Sequence, residues 1–391
     1  MIKPRLIFDQ IFPFIESPEA IVITGMRRTG KTTVLEWLYK QIDSANKLFL
    51  DLENPLNRKY FEEDNYEQIK SILEALGIDF SHKAYVFLDE IQLVKNLPSV
   101  VKYFIDHYSV KFFLTGSASF YLKNLFSESL AGRKYIFELY PLTFAEFLIF
   151  KEVKLKFSEK APLPVAIYEK IAPLMEEYLT FGGFPVVVLK QNIEEKRRAL
   201  EEILTSFFMM EVSQLADFRK NEALRDLILL LGERVGNKLD YYKMSKELGI
   251  SRPSVKEYIF FLEGTYFIKL IRPFSRGKDT EIRKMPKVYF CDCGLVNHLV
   301  RLEEGRVFKN AVFQNLKVRG EVNYYQRKSG IEIDFILNQE EAFEVKIKPT
   351  ASELKKLKRL AHELGLSQYR IVSKKYTQLD NVIYLFNFNN V

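Results

Sequence analysis

The residues with the clearest chemical pattern form a glycine-rich loop near the start of the chain. The loop reads G-x-x-x-x-G-K-[ST] and consists of Gly25, Met26, Arg27, Arg28, Thr29, Gly30, Lys31 and Thr32. It follows the apolar run Ala20–Thr24 and opens a helical stretch, which is the context that a phosphate-binding loop needs. We expect Lys31 to reach the β- and γ-phosphates of ATP and Thr32 to ligate Mg²⁺. The loop residues, together with Thr33, form the predicted nucleotide site.

Two acidic residues at the end of another apolar run extend this pattern. Asp89 and Glu90 end the run that begins at Tyr85. We expect Asp89 to hold the magnesium ion with Thr32, and Glu90 to orient and deprotonate an attacking water. Such a pair on its own is better interpreted as a helix cap, and the P-loop upstream is what favours catalysis.

Short apolar runs alternate with helical stretches over residues 20–140, which predicts an α/β domain with a mostly parallel sheet. Ser117 follows one of the strands, where it would contact the γ-phosphate or position the water, although a Gly-Ser turn is nearly as good an interpretation. The predicted strands are Ala20–Thr24, Leu48–Leu52, Ala84–Asp89, Lys111–Thr115 and Tyr135–Leu139, and the predicted helices include Thr32–Ala45, Tyr66–Leu76 and Leu97–His107.

Five segments in this order resemble the AAA+/STAND-related ATPases of archaea and bacteria: GMRRTGKT, YVFLDEIQ, FFLTGSAS, LAGRKYIFELYPLTFAEFL and FGGFP. The resemblance covers nearly the whole chain. It implies a lid element at FGGFP with Pro185 close to the adenine, and it makes Arg133 a γ-phosphate sensor or a trans-acting finger. From the residues alone, FGGFP also fits a turn that ends a helix, and Arg133 fits an ordinary charge at the start of a strand.

The same resemblance implies the fold class, which is α/β of the P-loop NTPase type with an AAA+/ASCE-type parallel sheet. A helical lid, a winged helix-turn-helix and a C-terminal α/β nuclease-like domain are expected to follow the sheet. The predicted domains are an ATPase core at 1–158, a lid at 159–232, a winged helix at 233–300 and a nuclease-like domain at 301–391.

The charge of the chain is concentrated in its C-terminal part. Residues 1–230 have a net charge of −3, whereas residues 231–391 have a net charge of +10. Clustered Lys and Arg side chains are typical of a surface that binds a polyanion such as DNA. Solvated basic helices explain the charge equally well.

A helix-turn-helix pattern lies in this basic region, with helices at Tyr241–Leu248 and Arg252–Leu262. The apolar positions of the second helix leave Arg252, Ser254 and Lys256 facing outward, as in a recognition helix. Further cations follow in the predicted wing and are expected to contact phosphates: Arg272, Arg276, Lys278, Arg283 and Lys284. A winged helix that serves only as a packing element inside the protein is almost as good an interpretation.

Two carboxylates near the C-terminus resemble the core of the PD-(D/E)xK nucleases. Asp334 is separated by nine residues from Glu344-Val345-Lys346. Adjacent antiparallel strands would bring Asp334 and Glu344 together to bind Mg²⁺, with Lys346 polarising water or a phosphate. Gln314 stands at a helix position where the family often has an acidic residue. An inactive, DNA-binding domain therefore stays an alternative to a nuclease.

Composition excludes several other classes of protein. The chain has 391 residues, 47% of them hydrophobic and 28% charged, which is a globular balance. Its two cysteines and four scattered histidines predict no disulfide framework and no zinc site. The sequence also predicts a cytoplasmic location and no membrane partner. We expect an ATPase that uses ATP and Mg²⁺ and binds DNA. The alternatives are a nucleotide-gated nuclease and a signalling switch with a protein partner, and the oligomeric state stays open.

Overall fold

The computed structural model describes residues 2–116, 130–153, 164–212, 221–275, 285–327 and 329–389, which fold into two compact units. The first unit comprises Met1–Tyr140, Ser206–Ala216 and Gly264–Tyr266. The second comprises Pro141–Thr205, Asp217–Glu263 and Phe267–Val391. The division of the second unit into a lid, a winged helix and a nuclease-like domain stays a prediction.

The first unit contains a parallel sheet of five strands in the order β2-β3-β4-β1-β5. All five predicted strands are present, with ends that differ by one residue at most. The five-stranded parallel sheet confirms the expected α/β fold of the P-loop class. The strands are β1 (Ala20–Thr24), β2 (Lys47–Asp51), β3 (Ala84–Asp89), β4 (Val110–Gly116) and β5 (Lys134–Glu138).

Alternation along β1 explains why helices cover both faces of this sheet. Ala20 and Val22 pack into one apolar cluster, whereas Ile21 and Ile23 pack into another on the opposite face. A strand that is apolar on both sides is typical of a parallel sheet buried between helices. The helices of this unit are Leu6–Ile11, Lys31–Gln41, Pro55–Lys59, Tyr66–Ala75 and Leu97–His107, with a π-helix at Phe207–Val212.

The strand order determines which residues meet at one edge of the sheet. Parallel strands bring their carboxyl ends to the same edge, where ligands bind in open α/β sheets. The P-loop follows β1, Asp89 ends β3, and Thr115 is the penultimate residue of β4. Because β4 lies between β1 and β3, Thr115 stands between the P-loop strand and Asp89.

The second unit contains a two-stranded antiparallel pair, β6 (Ile268–Ile271) and β7 (Lys287–Phe290). It also contains a mixed sheet in the order β12-β11-β10-β9-β8. The strands of this sheet are β8 (Val322–Gln326), β9 (Glu332–Leu337), β10 (Glu341–Lys346), β11 (Gln368–Ser373) and β12 (Val382–Ile383). The helices are Phe144–Phe150, Val165–Phe181, Pro185–Val188, Ile193–Ser206, Asn221–Glu233, Tyr241–Glu247, Arg252–Gly264, Cys293–Leu299, Glu304–Lys317 and Ala351–Glu363.

The mixed sheet combines a hairpin with a crossover. Strands β8, β9 and β10 are antiparallel, and β11 pairs with β10 in parallel through the helix Ala351–Glu363. That helix begins with a capping box, in which Thr350 accepts from the Glu353 backbone N–H and the Glu353 side chain accepts in return. Its apolar face contacts the sheet through Leu357 and Leu360.

A buried carboxylate joins two segments of the second unit. Asp292 caps the helix Cys293–Leu299 by accepting from the Leu295 N–H at 2.9 Å, and it accepts from the Gly183 N–H at 2.7 Å. A Cβ on Gly182 would lie 1.9 Å from Asp292 Oδ1, so only glycine fits there. Since Gly182 ends the helix Val165–Phe181 with φ at 77°, FGGFP is a turn that ends a helix. The position of Pro185 close to the adenine stays a prediction.

None of the helices in the described part of the chain has the length and apolar character needed to cross a bilayer. The two cysteines, Cys291 and Cys293, are buried and form no disulfide.

The Asp292 carboxyl makes stability depend on pH. Burial raises its pKa from 3.8 to about 6, so the folded protein retains this proton after the unfolded chain has lost it. The resulting stabilisation is complete below about pH 4 and is lost as pH rises through about 6. Relative to Asp292→Asn, we expect the wild type to lose about 2 kcal/mol between pH 4 and pH 7. Urea denaturation of both proteins at several pH values measures this difference, and parallel pH profiles would contradict it.

Candidate nucleotide-binding site

The P-loop connects the buried strand β1 to the helix Lys31–Gln41. A Cβ on Gly25 would lie 2.1 Å from the Leu139 carbonyl oxygen, so the close approach of the two backbones requires glycine. Gly30 caps the helix with φ at 99°, a conformation that side chains disfavour. The Lys31 ammonium lies inside the loop and donates to the carbonyl oxygens of Gly25 and Met26, both at 3.1 Å.

The loop is fixed from outside by a residue near the N-terminus. Arg5 is buried and donates to the carbonyl oxygens of Thr29 at 3.0 Å and Tyr140 at 2.8 Å. The Thr29 hydroxyl closes the loop internally through a 2.8 Å hydrogen bond to the Met26 carbonyl. No pattern in the sequence pointed to Arg5, because its role depends on where the chain returns near Tyr140.

Three residues of the predicted nucleotide site, Arg28, Thr32 and Thr33, face solvent. Arg28 is exposed and has φ at 65°, which is uncommon for a residue with a side chain. Thr32 and Thr33 are exposed in the first turn of the helix. Their hydroxyl groups are therefore accessible to a ligand that binds at this helix N-terminus.

Asp89 forms the centre of the site. Its Oδ2 accepts from the Thr32 hydroxyl at 2.6 Å, and its Oδ1 accepts from the Thr115 hydroxyl and from the Glu90 N–H at 3.1 Å. The predicted pairing of Thr32 with Asp89 is thus present. Sequence reasoning missed Thr115, although a polar residue near the carboxyl end of a neighbouring strand was an available signal.

Glu90 is held in a conformation that suits a functional group. Its backbone lies in the left-handed region, with φ at 56°, which is costly for a residue with a side chain and recurs at active sites. Its N–H donates to Asp89 and also lies 3.3 Å from the Thr115 hydroxyl oxygen. Gln92 donates to its carboxylate, and the Arg27 guanidinium lies 3.9 Å away.

A further acidic residue of the site, Glu211, was not predicted from the sequence. It is buried in the π-helix Phe207–Val212, and its Oε1 accepts from Arg27 Nε at 3.0 Å. Glu53 also faces Arg27, but at 3.9 Å and with 59% of its side chain exposed. Glu211 follows Arg27 by 184 residues, a separation that no local pattern detects. π-Helical segments are frequent at functional sites.

The acidic residues affect the titration of Lys31. Burial, the largest influence, lowers the pKa of its ammonium, while the charges of Glu90 and Glu211 raise it. A lysine that is buried beside carboxylates gains favourable interactions when an anionic ligand replaces the loop carbonyls as its partners.

Two other predicted residues of the ATPase core have different outcomes. Arg133 immediately precedes β5; its carbonyl accepts from Ala20 at the first residue of β1, and its guanidinium pairs with Asp106 at 2.6 Å. The P-loop follows the last residue of β1, so Arg133 lies at the opposite edge of the sheet and does not face this site. A trans-acting role for Arg133 stays a prediction. Ser117 lies outside the described residues.

The predicted nucleic-acid contacts lie in the second unit. Ser251 caps the helix Arg252–Gly264 by accepting from the Ser254 N–H at 3.2 Å. Arg252, Lys256 and Arg272 are exposed, and Ser254 is half-buried. Arg276, Lys278, Arg283 and Lys284 lie outside the described residues.

The C-terminal carboxylates lie on neighbouring strands, as predicted, but their partners differ. Asp334 is buried, with Oδ1 accepting from Lys309 Nζ at 2.6 Å and Oδ2 accepting from the Val345 N–H at 2.9 Å. Lys346 pairs with Glu344 at 3.0 Å. Burial raises the pKa of Glu344, and the charge of Asp334 raises it further.

The prediction for Gln314 was wrong about position. The Gln314 side chain accepts from the Cys293 N–H at 2.9 Å and donates to the Cys291 carbonyl at 3.0 Å. Positions 309 and 314 are five positions apart in the sequence, which places them about 140° apart around the helix. Lys309 is therefore the helix residue that faces Asp334.

The donor groups at the P-loop suit magnesium. A threonine hydroxyl and a carboxylate are hard oxygen ligands, and Mg²⁺ usually completes its shell with water and substrate phosphates. Thr32 and Asp89 provide these two groups 2.6 Å apart. In the described part of the chain, no group of three or more His, Cys, Asp or Glu side chains is arranged to hold a metal.

Comparison with known proteins agrees with this geometry. Residues 17–148 match the AAA domain family, and residues 172–306 match a domain of unknown function, DUF8612. The uncharacterized protein MJ1544 of Methanocaldococcus jannaschii is 30% identical over 336 residues, which cover 81% of this chain and 71% of MJ1544. The chain belongs to the same protein family as MJ1544. This AAA-domain protein is also 26% identical to an uncharacterized protein of Haemophilus influenzae, over 86% of this chain and 84% of the relative.

Solved structures resemble this AAA-domain protein more distantly. The Aeropyrum pernix ORC1 protein in complex with DNA has a TM-score of 0.32 and 16% identity, over 74% of this chain and 89% of that chain. The STAND protein PH0952 of Pyrococcus horikoshii has a TM-score of 0.30 and 16% identity, over 81% of this chain and 47% of that chain.

The two acids that face Arg27 provide a matched pair of substitutions. We expect Glu211→Gln to lower the free energy of unfolding by about 1–3 kcal/mol, because it removes a buried, charge-assisted hydrogen bond. We expect Glu53→Gln to change it by at most about 0.5 kcal/mol, because that pair is long and exposed. Urea denaturation at neutral pH measures both values. Equal effects of the two substitutions would show that Glu211 is not a principal partner of Arg27.

Proposed function

We propose that this AAA-domain protein is a Mg²⁺-dependent ATPase. The observation that supports this proposal is the cluster formed by Lys31, Thr32, Asp89 and Glu90 at the carboxyl edge of the parallel sheet. A phosphate-binding lysine, a metal-binding pair and an acidic residue next to that pair are the groups that hydrolysis of a phosphoanhydride needs.

Each group has a defined task in the proposed reaction. Backbone N–H groups of the P-loop and the Lys31 ammonium bind the phosphates of ATP. Thr32 and Asp89 would hold Mg²⁺, which when bound neutralises charge on the phosphate oxygens. The Glu90 carboxylate would accept a proton from the attacking water.

The surroundings of Glu90 support its role as the base. Gln92 and Arg27 restrict the carboxylate, and the left-handed backbone turns it away from the line of the strand. Such restriction improves catalysis, because a base acts only within hydrogen-bond reach of the proton that it removes. Through its contacts to Glu211 and Glu90, Arg27 would link the π-helix to this base.

We further propose that the second unit binds nucleic acid. The net charge of +10 over residues 231–391 and the exposed Arg252 and Lys256 on a capped helix favour a polyanion. The order of elements, two helices followed by β6 and β7, supports a winged helix. A signalling switch that binds a protein through the same helix is the alternative.

ATP turnover tests the first proposal. We expect Lys31→Ala to weaken ATP binding about tenfold or more, because it removes a charge-assisted contact to phosphate. We expect Glu90→Gln to retain ATP binding but to lower kcat about 100-fold or more. Phosphate release and fluorescent-nucleotide titration measure these quantities, and chelation of Mg²⁺ should abolish turnover.

Lys40→Ala is the matched control, because Lys40 is an exposed lysine of the same helix. Its turnover should equal that of the wild type. Wild-type turnover in both Lys31→Ala and Glu90→Gln would remove the assignment.

DNA affinity at several salt concentrations tests the second proposal. We expect the double substitution Arg252→Gln and Lys256→Gln to reduce the magnitude of the slope of log K against log [salt] by about 2. The reason is that two phosphate contacts are lost. Lys170→Gln, at an exposed lysine of another helix, should leave the slope unchanged. Fluorescence anisotropy of a labelled duplex measures the slope. No binding of DNA at low salt would favour the protein partner.

A further inference from the structure

A lysine occupies the position beside Asp334 where a metal-dependent nuclease site would need a cation. Both oxygens of the buried Asp334 already accept hydrogen bonds, one from Lys309 and one from the Val345 backbone. A divalent cation that binds Asp334 would have to displace the Lys309 ammonium or lie within a few ångströms of its positive charge. The predicted nuclease metal therefore does not fit this site.

Charge leads to the same conclusion. Asp334 and Glu344 face two ammonium groups, those of Lys309 and Lys346, so the four side chains are already close to neutral. An added divalent cation would be repelled by both lysines at short range. A half-buried ammonium that has lost its carboxylate partner is also costly, so displacement of Lys309 is unfavourable.

A cavity of about 350 Å³ lies in front of these lysines. Three cationic side chains line it, Arg306, Lys309 and Lys346, whereas Asp334 and Glu344 are not part of its lining. Among the described residues of the lining, Glu303 is the acidic one; its carboxylate lies 4.0 Å from the Arg306 guanidinium, and its side chain is 87% exposed. Arg306, Lys309 and Lys346 thus belong to the lining of the cavity, whereas Asp334 and Glu344 do not.

The backbone around the cavity also favours an anion. The helix Glu304–Lys317 begins at its wall, and the side chain of its N-cap residue, Glu303, makes no capping hydrogen bond to the first turn. The partial positive charge at a helix N-terminus adds to that of the three side chains. A Cβ on Gly305 would meet no atom within 4 Å, so the first turn borders open space.

We propose that the Lys309 ammonium takes the place of a divalent cation beside Asp334, and that the cavity binds a phosphate group without a metal and without cleavage. The phosphate belongs either to a nucleic-acid backbone, which rests on the proposed function, or to free phosphate. The metal-free character of the site does not rest on the proposed function. A site that binds a phosphodiester without cutting it would let the second unit stay bound to nucleic acid while the ATPase hydrolyses ATP.

Manganese binding tests the replacement of the metal. The full chain is used with Lys31→Ala, which weakens the P-loop site, and Mn²⁺ binding is followed by electron paramagnetic resonance. We expect Asp334→Asn to leave the Mn²⁺ isotherm unchanged. Lys309→Glu, which supplies a third carboxylate, should create one new Mn²⁺ site, and Asp334→Asn should remove that site again.

A Mn²⁺ site that Asp334→Asn removes from the protein with Lys309 intact would overturn the proposal. DNA cleavage that depends on Asp334 would do the same. Circular dichroism monitors whether Lys309→Glu folds. If it does not fold, the test still rests on the two proteins with Lys309 intact, one with Asp334 and one with Asp334→Asn.

Phosphate binding in EDTA tests the cavity. In the same Lys31→Ala chain, inorganic phosphate is titrated by calorimetry and a labelled DNA duplex by anisotropy. We expect Arg306→Gln to weaken binding about tenfold, because it removes one charge-assisted contact, and the exposed Lys170→Gln to have no effect. Binding of both ligands indicates a site for free phosphate, and binding of DNA alone indicates a backbone site. Equal affinities of the Arg306→Gln chain and its parent, or binding of neither ligand, would overturn the proposal.

Discussion

The site depends on the hydrogen bonds that the Asp89 carboxylate accepts. Its two oxygens accept hydrogen bonds from the hydroxyl groups of Thr32 and Thr115, which belong to a helix and to a neighbouring strand. Strands β1 and β3 are separated by β4, and thus by about 10 Å. The first turn of the P-loop helix and the end of β4 bridge this distance. Asp89 therefore fixes the P-loop helix, the hydroxyl groups of Thr32 and Thr115 and the adjacent Glu90 as one arrangement.

The backbone around Asp89 contains several uncommon conformations that the rest of the first unit sustains. Glu90 and Arg28 have positive φ values, and Gly25 lies against another segment of backbone. Left-handed conformations of this kind persist only where the surroundings determine them. Here the surroundings are a sheet that is buried on both faces and a loop held by Arg5. The apolar core thus supports a site that is locally unfavourable.

Asp89 and Asp334 show how neighbouring groups determine what a carboxylate can do. Both are buried aspartates on β-strands, and both accept two or more hydrogen bonds. The side-chain partners of Asp89 are neutral hydroxyl groups, which leave its negative charge available to a metal. The side-chain partner of Asp334 is an ammonium group, which neutralises that charge within the protein. The same residue type therefore supports opposite proposals in the two units.

The sequence by itself determined the parallel sheet, the P-loop and the pairing of Thr32 with Asp89. These features follow from local patterns: buried apolar runs predict strands, glycines and a lysine at fixed spacing predict the loop, and acidic residues at a strand end predict metal binding. The spacing of Asp334 and Glu344 on neighbouring strands was also predicted, because a hairpin is a local structure.

Only the tertiary structure decided which residues complete these sites. Arg5 and Glu211 reach the P-loop from distant parts of the chain, and Arg133 lies at the opposite edge of the sheet. Lys309 rather than Gln314 faces Asp334, because the direction of a side chain depends on how a helix is rotated against its sheet. Ion pairs between distant segments leave no periodic signal in a single sequence, since each partner is an ordinary charged residue in its own surroundings.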